Sequence, residues 1–465
     1  MCKFSSSTVS RSSHYDAPGT VGRELAFVCR QYFRKRPRNG QIPAENVLKT
    51  VKMVLKTSLR VAQFVDFLYI CIMKRDIYKT LLSWKVNADR KPLILNGARQ
   101  VGKTYILKKF GKGEYASFAY VNLDKDEGVK DFFSHGYDVE RIIRDISAYT
   151  GVKIVPNETL VFLDEVQSCP EILSSLKYFR EDAPQYHIAV AGSLLGISLH
   201  KGVSFPVGKV DIAQMYPMSF LEFLEATGKG QLSDMLRNCE YESLSAVHSR
   251  LEDSLRMYYY VGGMPEAVLR YCRNDIPGVR TIQESILTGY RNDFSKHAPK
   301  DIVPMINRVW DSIPSQLALE NKKFTYSRLG RHVRGEDCAD PIQWLEDSGL
   351  VYRVPRVSRI ASPLAAYRQE GAMKLFPLDV GLLGAMSGVS ARDVVVRSDR
   401  FREYKGAFTE AYCCLQMKKA EIVPYYYNNT ETSSGEIDFI VETLGRLTPI
   451  EVKAENNVSS RSLRD

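Results

Sequence analysis

The segment spanning residues 97–104 constrains the fold most strongly, because it has the pattern G-x-x-x-x-G-K-T. It follows a short apolar run at 93–95 and opens an amphipathic stretch. Glycines let the backbone curve closely around a phosphate, and successive amide groups then point inward at the start of a helix. The segment therefore predicts a strand, a phosphate-binding loop and a helix, and with them a site for a nucleoside triphosphate.

Each position in this loop has an expected task. The residues predicted to contact the nucleotide are Gly97, Arg99, Gln100, Val101, Gly102, Lys103 and Thr104. Lys103 is expected to reach the β- and γ-phosphates as a catalytic cation, and the Thr104 hydroxyl to ligate Mg²⁺. The alternative is a surface turn that happens to carry Lys-Thr, which the flanking strand and helix patterns disfavour.

A second motif lies downstream at residues 160–165, where four apolar residues precede Asp164 and Glu165. This reads as a buried parallel strand whose carboxyl end carries acids. Asp164 is predicted to hold Mg²⁺ beside Thr104, and Glu165 to act as the general base for an attacking water. A further strand at 118–123 favours the ATPase branch with an additional central strand. The Ras-like GTPase branch is disfavoured, since no N-K-x-D motif is present.

Two more strands complete the predicted sheet. One, at 187–191, ends at Gly192-Ser193, and Ser193 is expected to contact the γ-phosphate or the attacking water. An ordinary strand-ending turn is the alternative there. The other is predicted over 207–215, followed by a helix beginning near 217–224. Together these elements predict a doubly wound α/β domain with a parallel sheet.

Several segments resemble a family of prokaryotic AAA-superfamily ATPases whose C-terminal half is of unknown function. They are MKRDIY from Met73, GARQVGKT, VFLDEVQ, AGSLLGI, SFPVGKV, YPMSFLEFL, YVGGMPEAV and FPLDVGL. The resemblance spans about residues 73–465 and implies an ATPase that uses ATP and Mg²⁺. Relatives often place arginine where Gly208-Lys209 stands. Lys209 could supply charge to a neighbouring site there, but not a bidentate fork.

The rest of the chain divides into predicted regions. They are a basic extension at 1–72, the ATPase domain at 73–225, a helical lid or linker at 226–300, a winged-helix-like unit at 301–357, and a C-terminal unit at 358–465. Helices are expected at 302–319, 326–333 and 341–348, before an extended segment at 349–354. The last helix carries Glu346 and Asp347, with Asp340 just before it. Because acids repel phosphates, a structural or protein-contacting role is preferred there over DNA reading.

The C-terminal unit contains acids arranged as in PD-(D/E)xK nucleases. Glu410 falls in a helix predicted over 408–419, Asp438 on a strand, and Glu451 and Lys453 on the next strand. Alternation along that strand puts Glu451 and Lys453 on one side, as a metal-bound water and its activating amine require. Asp438 and Glu451 are the predicted metal ligands, with Glu410 and Lys453 accessory. An active nuclease, a restriction-endonuclease-like α/β fold without activity, and coincidence all remain open.

The net charge of +10 is concentrated near the start of the chain. Residues 1–72 carry 12 Lys and Arg against 4 Asp and Glu, which leaves +2 for the remainder. This gives little support to nucleic-acid binding by the folded body as a whole. The extension is interpreted as a translation start assigned too far upstream or as a disordered basic arm, with a targeting peptide disfavoured. The final residues resemble the beginning of a further helix, which suggests a truncated C-terminal unit.

Cysteine spacing and hydropathy limit the remaining classes. Nine scattered cysteines with no C-x-x-C pair favour reduced thiols in the cytoplasm over disulfides or zinc. No apolar run approaches the ~18 residues that a membrane-spanning helix needs. The expected partners are ATP, with a nucleic acid, a protein partner or self-association left open. Two functions remain open as well: an ATP-hydrolysing motor or switch, and a slowly hydrolysing scaffold gated by nucleotide.

Overall fold

The computed structural model describes residues 73–125, 127–193, 206–319, 321–396, 398–428 and 436–453. The extension at 1–72, the parts of AGSLLGI and SFPVGKV that lie within 194–205, and the tail at 454–465 are outside the described residues. The predictions made for them therefore stay predictions.

The first half of the described chain alternates strands with helices, as predicted. Its strands are β1 (Leu93–Asn96), β2 (Ser117–Asn122), β3 (Thr159–Asp164), β4 (His187–Ala191) and β5 (Asp211–Gln214). Its helices are α1 (Ile77–Val86), α2 (Lys103–Glu114), α3 (Asp131–Ser134), α4 (Val139–Thr150) and α5 (Glu171–Asp182), with short 3₁₀ turns at Glu127–Lys130 and Val166–Ser168. Local signals set the ends of α4, since the Asp138 carboxylate caps its first amides and Gly151 adopts a positive φ after its last turn.

The five strands form one parallel sheet in the order β2-β3-β4-β1-β5. Strand β4 pairs with both β1 and β3, so it separates the strand before the glycine-rich loop from the acidic strand. This confirms the additional central strand. The carboxyl ends of β1, β3 and β4 consequently meet at one edge of the sheet, where parallel sheets bind ligands.

Alternation along the strands gives the sheet two apolar faces. Ile94, Val161 and Ile188 pack on one face with helices α4 and α5. Their neighbours Leu95 and Phe162 point to the other face, where they pack with α1, α2 and the helices that follow the sheet. This second core continues without interruption into the C-terminal half of the chain. The ATPase-like domain and the later regions therefore share a hydrophobic core.

The region after the sheet is helical, with α6 (Phe220–Ala226), α7 (Gly230–Arg237), α8 (Tyr241–Ala246), α9 (His248–Val261), α10 (Pro265–Cys272) and α11 (Ile276–His297). It is followed by α12 (Val303–Leu317), a 3₁₀ turn at Tyr326–Leu329, and α13 (Gly335–Asp347). No helix in the described part of the chain is long and apolar enough to cross a lipid bilayer.

A second five-stranded sheet forms the C-terminal part, in the order β10-β9-β8-β6-β7. The strands are β6 (Val351–Val357), β7 (Arg368–Pro377), β8 (Tyr425–Asn428), β9 (Glu436–Thr443) and β10 (Arg446–Ile450). The helices are α14 (Val380–Met386), α15 (Ala391–Val396) and α16 (Asp399–Lys419), with a 3₁₀ turn at Leu364–Tyr367. Strands β6 and β7 form an antiparallel hairpin that crosses the predicted boundary at 357/358, and β6 also pairs with β8.

Several predicted elements differ in extent. The strand expected over 207–215 is confined to β5, because Pro206, Gly208 and Lys209 form a turn. The helix expected at 326–333 is only a 3₁₀ turn, and the one expected at 341–348 begins earlier, at Gly335. Helix α16 also begins earlier than predicted, because the Ser398 hydroxyl accepts a hydrogen bond from the Phe401 amide and caps it.

Candidate nucleotide-binding site

The glycine-rich loop joins the end of β1 to the start of α2, and its backbone is unusual. Gly97 has a φ of 150°, Gln100 of 68° and Gly102 of 100°. A side chain at position 97 is excluded, because a Cβ atom would lie 2.2 Å from the Met215 carbonyl oxygen. The loop therefore depends on glycine for close backbone approach and for positive φ, as a phosphate-cradling loop requires.

Lys103 is the first residue of α2, and its side chain folds back over the loop. Its Nζ donates hydrogen bonds to the carbonyl oxygens of Gly97 at 2.6 Å and Ala98 at 2.8 Å. Burial lowers the pKa of Lys103 to about 8, against the opposing influence of Glu165 and Asp164. An anion bound in the loop would stabilise the charged form of Lys103 and so raise its pKa again.

Asp164 ends β3 and meets Thr104 across the sheet edge. The Thr104 Oγ1 donates to Asp164 Oδ1 at 3.2 Å, and the Tyr120 hydroxyl donates to Oδ2 at 3.1 Å. Burial raises the pKa of Asp164, while the hydrogen bonds from Thr104 and Tyr120 work in the opposite direction. The structure therefore brings together the two residues predicted to hold Mg²⁺, and adds Tyr120, which sequence reasoning missed.

Glu165 follows directly, in a left-handed backbone conformation with φ of 59°. Its Oε2 accepts a hydrogen bond of 2.5 Å from the Gln167 side-chain amide. The Oε1 of the same amide accepts a 3.3 Å hydrogen bond from the Ser193 backbone amide. Gln167 therefore links the predicted base to the predicted γ-phosphate contact. The sequence analysis did not identify Gln167, although it lies only two residues after Glu165.

The loop is also held from outside by helix α11. Arg99 Nη1 lies 2.5 Å from Asp293 Oδ1, and the Tyr290 hydroxyl donates to the Arg99 carbonyl oxygen at 3.0 Å. The Asp293 side chain is only 6% exposed, whereas that of Arg99 is 51% exposed. The structure thus ties Arg99, a predicted phosphate contact, to the helical region.

Arg75 connects the loop to the C-terminal half through buried ionic contacts. Its guanidinium donates to the Val101 carbonyl oxygen at 2.9 Å and to Glu222 Oε1 at 3.1 Å. Lys419, the last residue of α16, reaches Glu222 Oε2 at 3.3 Å. Burial alone would raise the pKa of Glu222, but Arg75, Lys419 and backbone amides outweigh it and lower that pKa to about 2. We call Arg75, Glu222 and Lys419 the buried bridge.

Three of the segments that resemble the AAA-superfamily group interlock beside this bridge. Asp379 Oδ2 accepts a hydrogen bond of 2.6 Å from the Gly263 amide, and Met218 donates its amide to the Gly263 carbonyl at 2.7 Å. A Cβ at Gly263 would lie 2.1 Å from the Met218 carbonyl oxygen, and one at Gly262 would lie 2.1 Å from Asp379 Oδ1. These glycines are therefore explained by close packing of the helical region between the two halves.

Lys209 lies at the amino end of β5, away from the loop end of the sheet. Its Nζ is 2.8 Å from Glu181 Oε1 on helix α5. Its expected role toward a neighbouring molecule stays a prediction.

The C-terminal acids surround a lysine. The Lys374 ammonium, 1% exposed, lies 3.2 Å from Glu410 Oε2, 3.6 Å from Asp438 Oδ1 and 3.5 Å from Glu436 Oε1. Lys322 approaches the other Glu410 oxygen at 2.7 Å. Burial would lower the pKa of Lys374, but the carboxylates of Glu410, Asp438 and Glu436 outweigh it and raise that pKa. We call this group the Lys374 cluster.

The other two predicted nuclease residues pair with each other. Lys453 Nζ lies 2.5 Å from Glu451 Oε1, and Asp438 Oδ2 accepts a 2.9 Å hydrogen bond from the Val452 amide. The described residues include no group of three or more His, Cys, Asp or Glu side chains arranged to hold a metal ion. The ammonium groups of Lys374, Lys322 and Lys453 pair with these acids. Sequence reasoning missed Lys374.

The nucleotide end fits its expected ligands. The loop presents backbone amides at a helix start, Lys103 is bound only to loop carbonyls, and Thr104 and Asp164 offer hydroxyl and carboxylate oxygens, which Mg²⁺ prefers.

Comparison with known families agrees with this geometry. Residues 89–224 match the model of an AAA domain, residues 252–393 match a domain of unknown function (DUF8612), and residues 405–465 match another domain of unknown function (DUF4143). The chain therefore carries an AAA-family ATPase domain, followed by two regions that no known activity describes. No curated protein matches the chain.

Solved structures of low sequence identity also resemble the chain. The Walker-type ATPase PABY2304 of Pyrococcus abyssi is 15% identical, with 68% of this chain and 96% of that one covered, at a TM-score of 0.44. Cdc6p from Pyrobaculum aerophilum is 13% identical, with 70% and 96% covered, at 0.25. The RuvB Holliday junction branch migration motor of Thermotoga maritima is 13% identical, with 61% and 90% covered, at 0.27. TM-scores this low do not establish a shared overall arrangement.

Proposed function

We propose that this protein binds ATP with Mg²⁺ and hydrolyses it to ADP and phosphate. The observation that carries the proposal is the contact of Thr104 with Asp164 at 3.2 Å, beside a loop in which the buried Lys103 donates hydrogen bonds to the Gly97 and Ala98 carbonyls. Mg²⁺ held by Thr104 and Asp164 would neutralise charge on the β- and γ-phosphates.

The side chains of the loop would change partners when the triphosphate enters. Lys103 Nζ would exchange the Gly97 and Ala98 carbonyls for phosphate oxygens, and the nearby anion would favour its charged form. The amides from Arg99 to Thr104 would wrap the phosphates. Glu165 would take a proton from the attacking water, with Gln167 fixing its carboxylate and Ser193 near the γ-phosphate.

The buried bridge supports coupling between nucleotide and the C-terminal half. Val101 belongs to the phosphate loop, and its carbonyl oxygen is one hydrogen bond from Arg75. Glu222 and Lys419 then continue the contact to the end of helix α16, which also carries Glu410 of the Lys374 cluster. A shift of the loop on binding phosphate would therefore act on α16 through the buried Arg75 and Glu222 and the mostly buried Lys419, and such ion pairs are costly to separate.

The C-terminal unit is proposed as the recipient of this change rather than as a metal-dependent nuclease. A lysine ammonium lies among Glu410, Asp438 and Glu436, where a divalent ion would need the same carboxylates. The alternative function is a scaffold that captures a protein partner when ATP is bound and hydrolyses it slowly. It is favoured by the tight packing of α11 on Arg99, which would oppose rapid cycling of the loop.

Replacing Glu165 with Gln separates the two functions. An ATPase should lose at least ~100-fold in turnover while retaining bound ATP, because the loop, Lys103 and the magnesium ligands are unchanged. For a scaffold, wild-type turnover is already slow, and Glu165→Gln should make partner capture constitutive by keeping the protein in its ATP-bound state. Steady-state phosphate release and the ATP-to-ADP ratio of nucleotide retained on the protein are the measurements.

Glu158→Gln is the matched control, because it removes an exposed carboxylate at the opposite end of the same strand. It should leave both quantities unchanged. Wild-type protein that binds ATP without releasing phosphate would overturn the hydrolysis proposal and favour the scaffold.

A further inference from the structure

Charge in the winged-helix-like region is sharply divided among three consecutive stretches. Residues 322–334 contain five Lys or Arg and no acid, and residues 351–369 contain four Arg and no acid. Helix α13, which lies between them in the chain, contains five acids and no base. The whole-chain balance conceals this division, because the five acids of α13 offset more than half of the nine basic residues on either side.

The two basic stretches lie side by side in the structure. The Tyr326 hydroxyl donates to the Gly371 carbonyl oxygen at 2.9 Å, and the Phe324 amide donates to the Met373 carbonyl oxygen at 2.8 Å. These bonds hold the segment at 322–334 along strand β7. An open cavity of about 420 Å³ lies beside these bonds, lined by Tyr326 of the first stretch, by Arg368 of the second, and by Gly335, Ala339 and Ile342 of helix α13.

The exposed cations of this surface are arginines. They are Arg328, Arg331 and Arg334 on the first stretch, and Arg359 and Arg368 at the connected end of the β6–β7 hairpin. Arg368 pairs in register with Val357, two residues before Arg359, so the hairpin arginines are neighbours. Among the described residues only Arg334 of these five forms an ion pair, with Glu336 at 3.3 Å. We call these five residues the arginine surface.

Two further acids of α13 have partners outside the arginine side chains of this surface. Glu346 is bound by Arg353 at 2.8 Å, and Asp337 accepts a hydrogen bond from the Arg334 amide at 2.8 Å. Glu336 and Glu370 also line the cavity, whereas Arg328, Arg331 and Arg359 are exposed outside its lining. Their side chains are solvated, and the long guanidinium groups can reach beyond the two acids.

We infer that the arginine surface binds the phosphodiester backbone of duplex DNA through the 322–334 segment and the β6–β7 hairpin, with acidic helix α13 kept out of the groove. Planar guanidinium forks match phosphate oxygens in a bidentate manner, which a surface of lysines would not do. Contacts of this kind position a protein on DNA without reading its sequence. The inference does not depend on ATP binding, because none of these residues contacts the glycine-rich loop.

The test compares two full-length variants with equal changes in charge. The triple variant R331E/R359E/R368E reverses three arginines of the surface. The control R144E/K153E/K177E reverses three exposed cations of the ATPase domain. Binding of a fluorescently labelled duplex of about 30 base pairs is followed by anisotropy without nucleotide, between about 50 and 200 mM salt. Thermal unfolding of each variant checks that it is folded.

We expect the surface variant to bind the duplex roughly 100-fold more weakly at about 0.1 M salt, with a salt slope shallower by about three. The control should bind within about threefold of wild type, and the milder R331A should lower the slope by about one. Four results would overturn the inference: no binding by wild type, equal weakening of both triple variants, unchanged binding by the surface variant, or wild-type binding to vesicles of anionic lipid that the surface variant loses in parallel with DNA.

Discussion

The nucleotide end and the Lys374 cluster both contain carboxylates that are at least partly buried, but the partners of these carboxylates differ in charge. Asp164 is met by the neutral hydroxyls of Thr104 and Tyr120. Asp438 and Glu410 are met by the ammonium of Lys374, and Glu410 also by Lys322. A carboxylate that is hydrogen-bonded to neutral hydroxyls still attracts a cation. A carboxylate that is already paired with an ammonium group contributes instead to the stability of the fold. The groups that contact the carboxylates, rather than the carboxylates themselves, therefore distinguish a candidate binding site from a structural ion-pair cluster.

Removing Lys374 should give the largest effect on stability. In Lys374→Met the buried Glu410 carboxylate keeps Lys322 but loses its second cation, and the partly buried Asp438 carboxylate loses its cation, which should lower the free energy of unfolding by about 3–5 kcal/mol. Denaturant unfolding followed by circular dichroism measures the loss. The double variant K374M/E410Q should recover part of it, because one buried charge is gone. An unchanged denaturant midpoint for K374M would contradict the stabilising role given to the Lys374 cluster.

The buried bridge should make stability depend on acid. The folded pKa of Glu222 is about 2, below its ordinary value near 4.5, because Arg75, Lys419 and backbone amides overcome burial. Its contribution is therefore fully present above about pH 4.5 and is lost as pH falls toward 2, and it amounts to roughly 3 kcal/mol. Glu222→Gln should thus be less stable than wild type at pH 7, and the difference should shrink between pH 4.5 and 2. A pH-independent difference would contradict this account.

The substitution Asp164→Asn tests the nucleotide end in the same comparison. The substitution should reduce ATP hydrolysis about 100-fold by weakening the magnesium site. Unlike K374M, it should not lower the free energy of unfolding, because burial already raises the pKa of Asp164 and no cation loses its partner. Phosphate release and denaturant unfolding on the same samples measure both quantities. A loss of stability as large as that of K374M would mean that Asp164 is part of the core.

The smallest expected effect is at Gln167. The Gln167 side-chain amide donates a hydrogen bond to Glu165 and accepts one from the Ser193 backbone amide. Gln167→Ala should therefore lower kcat about fivefold, because the carboxylate of the general base Glu165 would be held less precisely. KM for ATP should stay unchanged, because the phosphate loop is untouched. Gln167→Glu would place a second carboxylate against Glu165 and should be worse than alanine. A change in KM alone would place Gln167 in nucleotide binding instead.

The first half of the fold could be predicted because its signals are local. Buried parallel strands are short apolar runs, and the loop between β1 and α2 needs glycines at fixed places. The contact between Asp164 and Thr104 could be predicted, because the carboxyl ends of parallel strands lie at one edge of the sheet. The model of an AAA domain matches this part of the chain and confirms its class.

The C-terminal half was harder to predict, because its decisive contacts join distant residues. Lys374 stands in a strand with no motif around it, and Glu410 and Asp438 come 36 and 64 positions later in the sequence. The β6–β7 hairpin was divided at 357/358, since its connection includes Pro363 and a 3₁₀ turn rather than a short glycine turn. Gly262 and Gly263 are required by close contacts with Asp379 and Met218, which are distant in the sequence.

Calorimetric titration of the full chain with ATP and Mg²⁺ tests the central claim most directly. Wild type should bind one ATP per chain with a dissociation constant on the order of micromolar to tens of micromolar. Lys103→Met should show no measurable binding, while the control Lys112→Met, an exposed residue in the last turn of the same helix, should bind as wild type. Folded wild-type protein that takes up no ATP, or equal uptake by Lys103→Met, would contradict the account.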